Sequence, residues 1–131
     1  FPCLLIFVFG FFSPSNLFAQ AKAQAKTETE YSIESKAGKS VNIKRHYKEY
    51  DQRGNIVEEI DYDTEGKIQE ETKSEYNGQN QKVKEIHFTP TGKIDEISTF
   101  TYDEKGNKIS KTTTDGSGKL KSEKKWAYEY Y

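Results

Sequence analysis

The chain predicts an all-β fold, an antiparallel up-and-down meander of tandem hairpin repeats in one open single-layer or curled sheet, preceded by a hydrophobic signal helix. Three observations lead there. Turn-forming residues recur at fixed intervals, apolar and polar residues alternate between the turns, and the single long apolar run is confined to the N-terminus.

The two ends of the chain differ in composition. Six of the eight Phe lie within the first 18 residues, and every charged residue lies at Lys22 or later. The run Leu4-Leu5-Ile6-Phe7-Val8-Phe9-Gly10-Phe11-Phe12 is uncharged and is followed by Pro14 and the small-residue pattern Ala19-Gln20-Ala21. A run this short falls below the roughly 20 apolar residues a spanning helix needs, and it fits a signal peptide over residues 1–21. The mature form is therefore expected to have no membrane span and to be secreted, periplasmic or on the cell surface. Cys3 is the only cysteine and lies inside this segment. The rest of the chain is thus without disulfides, thiol nucleophiles or cysteine metal ligands. The sequence has no Met. An initiator and a basic leading region, or a longer parent protein, are expected upstream.

Residues 22–40 read as a polar linker, with an optional short edge strand at residues 30–35 before a turn at Gly38. The hairpin domain is expected over residues 41–131. Within it, blocks of 26 residues at 50–75, 76–101 and 102–127 align without gaps. The columns include Tyr50, Tyr76, Tyr102 and then Tyr128; Val57, Val83 and Ile109; Lys67, Lys93 and Lys119; and Ile68, Ile94 and Leu120.

Each block holds two turns. In Asp51-Gln52-Arg53-Gly54 the Asp accepts backbone hydrogen bonds, and Gly54 supplies the positive φ that closes a type I turn with a bulge. Gly106 repeats the pattern, and Asn80, the residue next most tolerant of that backbone, stands in its place in the second block. The second turns end at Gly66, Gly92 and Gly118. The alternating spacing leaves strands of about eight to ten residues. Six strands are expected from Tyr50 onward, with one or two before it.

Alternation then assigns faces. Ile56, Ile60 and Tyr62 share one parity, as do Ile68 and Tyr76, and the equivalents in later blocks are Ile86, Phe88, Ile94, Phe100, Tyr102, Leu120, Trp126 and Tyr128. Residues 26–131 hold only 13 Ile, Val or Leu. Two inner faces of a sandwich cannot be furnished from so few, which leaves one layer covered by Tyr rings and by Lys and Glu stems. The aromatic ladder Tyr62, Tyr76, Phe88, Phe100, Tyr102, Trp126 and Tyr128 is the candidate binding face, suited to a sugar ring or a partner strand.

The Tyr-Asp-x-x-Gly-Asn unit, best seen in Tyr50-Asp51-Gln52-Arg53-Gly54-Asn55 and Tyr102-Asp103-Glu104-Lys105-Gly106-Asn107, resembles the YD or RHS-type repeats of bacterial exported proteins. The likeness covers residues 47–131. It implies a hairpin module; the shell that large members build around a toxin domain does not carry over, because the chain is too short for one. The Gly-Lys-Ile turns and the terminal Trp126-Ala127-Tyr128-Glu129-Tyr130-Tyr131 also look like MORN-type repeats, and the Lys- and Glu-rich composition is similar to that of single-layer spirochaetal surface lipoproteins.

No catalytic, cofactor-binding or metal residue is assigned, and no enzyme activity or cofactor is expected. His46 and His87 lie in different strands with no metal-binding spacing around them. Asp51, Asp63, Asp103 and Asp115 supply one carboxylate per turn, and a calcium loop needs several that converge. Adjacent pairs such as Glu58-Glu59 and Glu70-Glu71 point to opposite faces of a strand. Net charge is −1 overall but runs from −6 in the first block through 0 to +3 in the third. Near-neutrality argues against nucleic acid as a partner. The sequence thus predicts an exported module that binds a protein or carbohydrate, with self-association through the open sheet edges as the alternative.

Overall fold

Alternating β-branched and aromatic residues between Gly- and Asp-rich turns fold into eight strands in the computed structural model, which describes residues 24–131. The signal-peptide reading of residues 1–21 lies outside the described residues. The strands are β1 (Thr27–Lys36), β2 (Lys39–Tyr50), β3 (Ile56–Tyr62), β4 (Ile68–Tyr76), β5 (Lys82–Phe88), β6 (Ile94–Tyr102), β7 (Lys108–Asp115) and β8 (Leu120–Lys125). They form one antiparallel sheet in sequence order, so each strand touches only its chain neighbours. β1 and β8 are its two edges, and there is no helix among the described residues.

Most of the segment read as a linker is strand. β1 pairs with β2 along ten residues, from Thr27 opposite Glu49 to Lys36 opposite Lys39. The two-residue turn between them puts both Ala37 (φ 52°) and Gly38 (φ 74°) in the left-handed region. That is the hairpin geometry whose twist matches the strands it joins. The optional edge strand expected at residues 30–35 is thus present and longer, Thr27–Lys36, its polar composition being that of an edge strand wet on both faces.

The six later turns are copies of one another. In the first, the Asp51 carboxylate accepts from the N–H groups of Arg53 and Asn55 at 2.8 and 2.9 Å, and the Gly54 N–H donates to the Asp51 carbonyl at 3.1 Å. Asp63, Asn77, Asp103 and Asp115 make the same pair of side-chain bonds two and four residues on, and Thr89 makes the second. The turn-closing position has positive φ throughout, with Asn80 at 67° and the glycines near it in value. Backbone donors on the deprotonated oxygen hold the Asp carboxyls below the usual carboxylate range: the Lys67 N–H does so first at Asp63, the Asn107 N–H at Asp103.

A bulge follows each of these six turns, and it corrects the face assignment made by simple alternation. Asp61 opposes Glu70 while Tyr62 opposes Ile68, so Gln69 is extra and the parity of β4 inverts at that point. Every other strand pairing carries one such shift. Paired residues share a face. One face carries Tyr47, Ile60, Tyr62, Ile68, Lys73, Ile86, Phe88, Ile94, Ile97, Thr99, Thr112 and Leu120. The other carries Ile43, His46, Tyr50, Tyr76, His87, Ser98, Phe100, Tyr102, Lys108, Lys111, Thr113 and Trp126.

The two faces differ in burial. All four buried residues among those described, Ile43, Ser98, Phe100 and Thr113, belong to the second, enclosed face. Ser98 is the most shielded, and its hydroxyl meets that of Thr113 at 3.0 Å, which satisfies both. Exposed Tyr31, Ile33, Ile68, Ile94 and Leu120 all lie on the first, open face. Among the described residues no second layer covers either side, so cohesion within them rests on ladder hydrogen bonds and on cross-strand side-chain pairs worth roughly 0.2–1 kcal/mol each.

Candidate functional site

The seven aromatic residues expected on one face are divided between two. Tyr62 and Phe88 lie on the open face, under the ammonium groups of Lys44 (4.8 Å to the ring centre) and Lys73 (5.4 Å) respectively. Tyr76, Phe100, Tyr102, Trp126 and Tyr128 lie on the enclosed face. The physical reason is the parity inversion at each bulge, which moves Tyr76 and Phe100 away from Tyr62 and Phe88.

On the enclosed face the tyrosine column has a structural task. The Tyr76 phenol donates to the Ile56 carbonyl at 3.0 Å, Tyr102 to the Lys82 carbonyl at 2.7 Å, and Tyr128 to the Lys108 carbonyl at 2.8 Å. Each acceptor is 20 residues back, and each acceptor residue follows a turn in the block before. Tyr50, with no earlier block to reach, donates to Glu28 instead. Burial pushes the Tyr102 phenol up, which keeps it a donor at any physiological pH.

The remaining aromatics form a cluster with lysines at the C-terminal end of this face. Phe100 pairs with Lys111 across β6 and β7, and Tyr102 pairs with Lys108. The Lys108 ammonium stands 4.6 Å from the centre of the Phe100 ring and 5.9 Å from that of Trp126, and the Lys111 ammonium stands 5.6 Å from Phe100. Phe100 is buried beneath this layer, whereas Trp126 keeps 39% of its surface exposed. Neither Lys108 nor Lys111 makes an ion pair among the described residues. The sequence reading missed both lysines. Their signal is cross-strand pairing with aromatic residues, which is visible only once the bulge fixes the register.

Both histidines also lie on the enclosed face, with both ring nitrogens engaged. His46 Nδ1 meets Asp61 and Nε2 meets Glu59 at 2.8 Å. His87 Nδ1 meets Thr72 at 3.1 Å and Glu70 at 3.2 Å, and Nε2 meets Glu85 at 3.1 Å. These contacts fix the orientation of both rings against carboxylates of the same sheet. Burial opposes the Glu85 charge, but Lys82 at 2.6 Å and His87 outweigh it and hold the carboxyl below its usual range. His87, Glu70, Phe88, Pro90 and Glu96 border a shallow open groove of about 500 Å³ beside the β5–β6 turn. No group of three or more His, Cys, Asp or Glu is placed to hold a metal ion among the described residues. No helix there is long and apolar enough to cross a membrane.

The geometry defines a class of protein: a single-layer antiparallel meander whose blocks are joined by tyrosine clips and which carries a lysine–aromatic surface at one end. No protein-family model and no curated protein matches the chain.

Proposed function

We propose that the protein is an exported, non-enzymatic binding module that takes a protein or carbohydrate partner on the enclosed face, with an acidic carbohydrate as the best match. One observation carries the reading. Lys108 and Lys111 hold their ammoniums over the Phe100 ring beside a half-exposed Trp126, and neither makes an ion pair among the described residues, although Glu96 lies near enough to Lys111 to feel its charge. An indole face stacks on the C–H side of a sugar ring, and two neighbouring ammoniums attract its carboxylate or sulfate. Export follows from the signal-peptide reading of residues 1–21. The likeness of the Tyr-Asp-x-x-Gly-Asn turns to YD or RHS-type hairpin repeats supports the same setting, as a remnant or short version of such a protein.

Trp126 is the only tryptophan of the chain, so its fluorescence reports the site directly. Titration with a polyuronate oligosaccharide should shift its emission in a saturable, salt-sensitive way, and a neutral glucan should not. Lys108→Ala should weaken the polyuronate response at least tenfold. An emission spectrum unchanged by both sugars at millimolar concentration, with the fold intact, would refute the carbohydrate reading.

A further inference from the structure

Among the described residues the sheet ends in two unpaired edges, and their side chains are opposite in sign. β1 alternates without interruption, so Glu28, Glu30, Ser32, Glu34 and Lys36 project to the enclosed face and Thr27, Thr29, Tyr31, Ile33 and Ser35 to the open face. β8 presents Ser122 and Lys124 on the enclosed face, and Lys121 joins them there through its ion pair with Glu96. The edge strand at the start of the sheet therefore carries three Glu and one Lys, and the edge strand at its end carries three Lys and one Glu. On the open face the edges match in a different way. Ile33 is 74% exposed and Tyr31 is uncovered beside it on β1, and Leu120 on β8 is 58% exposed.

From this we infer that a second copy of the chain pairs its β1 edge, antiparallel, with the β8 edge of the first, continuing the meander head to tail. The even number of strands makes the junction regular. β8 runs opposite to β1, so a following copy adds its β1 as an antiparallel ninth strand with both faces in phase. Glu30 and Glu34 then stand on the same side as Lys121 and Lys124, while Ile33 and Leu120 meet on the other.

Charge also selects against the other edge pairings. Two β1 edges would bring glutamates together, and two β8 edges would bring lysines together, both unfavourable when directly opposed across strands. Charged side chains at an edge normally block association altogether. Here each edge blocks its own kind and fits the other. The interface is heterologous and does not close on itself, so the assembly is open. It uses the edges alone and stands whether or not the enclosed face binds sugar.

The test is a charge swap, read by sedimentation velocity on the full chain in mild detergent at low salt. Glu30 has no ion pair or side-chain hydrogen bond among the described residues, and neither has Lys124, so both positions accept reversal without breaking an internal contact. The unmodified chain should associate as concentration rises, and less so in high salt. The Lys121→Glu/Lys124→Glu variant, acidic at both edges, and the Glu30→Lys/Glu34→Lys variant, basic at both, should each stay monomeric with unchanged β-type circular dichroism. An equimolar mixture of the two should regain association, because each then offers the edge the other needs. Lys124→Glu alone keeps the Lys121–Glu96 pair and should weaken association in the same direction by a smaller factor. The apolar N-terminal run is common to every variant, so association through it would ignore the reversals. An unmodified chain that stays monomeric, variants that associate as it does, or a mixture that fails to regain association would each overturn the inference.

Discussion

Apart from the Ala37–Gly38 turn, the two rims of the sheet carry the same turn, and they differ in what joins one turn to the next. Along the rim formed by residues 51–54, 77–80 and 103–106, Arg53 donates to the Asn77 carbonyl at 3.1 Å, the Asn55 side-chain amide donates to that of Asn80, and Asn107 donates to the Tyr130 phenol at 2.7 Å. Tyr76, Tyr102 and Tyr128 clip each block to the preceding one just inside that rim. Along the rim formed by residues 63–66, 89–92 and 115–118, every side-chain hydrogen bond of a turn stays within that turn among the described residues. Identical local chemistry thus yields one rim that is coupled from block to block and one that is not. A turn is a property of four or five residues, whereas coupling depends on partners 20 or more residues away.

That contrast can be broken most severely beside the clipped rim. Phe100 is the one buried aromatic ring among the described residues, so Phe100→Ala should lower stability by about 3 kcal/mol in denaturant unfolding and release both lysines that cover it. A comparable loss at Phe88, on the open face, would erase the distinction between the faces. On the unclipped rim the most sensitive position is Gly116, where an added Cβ would lie 2.3 Å from the Ile94 carbonyl oxygen. Gly116→Ala should cost about 1–3 kcal/mol, because backbone must move to admit the methyl.

Removing a single hydroxyl sharpens the comparison further. Tyr102→Phe leaves the Lys82 carbonyl unpaired and should cost about 1 kcal/mol, whereas Tyr62→Phe should be neutral, since no hydrogen bond to that phenol exists among the described residues. Equal losses at both positions would contradict the clip. The smallest effect is expected from acid. The turn carboxyls of Asp63 and Asp115 are held below their ordinary range, by the Lys67 N–H first at Asp63 and by the Ser117 hydroxyl first at Asp115. Their contribution is therefore full above the ordinary carboxylate range and is lost as pH falls through the lowered folded-state value. Asn77 makes the same bonds without titrating. Replacing Asp63 and Asp115 by Asn should accordingly lower the thermal midpoint slightly at neutral pH, where the charge-assisted bonds are lost, and flatten its decline on acidification.

The turns were legible in the sequence because each is specified within a few residues: an acceptor at the first position and Gly or Asn at the left-handed one. Strand order followed from turn spacing. The site was less legible, because one extra residue per hairpin inverts the parity of all that follows, and nothing in Gln69 or its counterparts announces it. The aromatic residues were therefore legible as a recurring set, but alternation put them on one face where the register divides them between two. The Tyr column was visible as a repeat, but its phenol bonds were not, since their acceptors are backbone carbonyls that carry no sequence mark. β1 was undervalued because its apolar residues are only Tyr31 and Ile33, both exposed.

The enclosed face is the surface proposed to meet a partner. The direct measurement is an NMR titration of the isotope-labelled chain with a polyuronate oligosaccharide, following aromatic and lysine side-chain resonances. Shifts concentrated at Phe100, Lys108, Lys111 and Trp126, with Tyr62 and Phe88 unmoved, are the predicted result. Shifts centred on Tyr62, Phe88 and the open face, or none on either face, would contradict it.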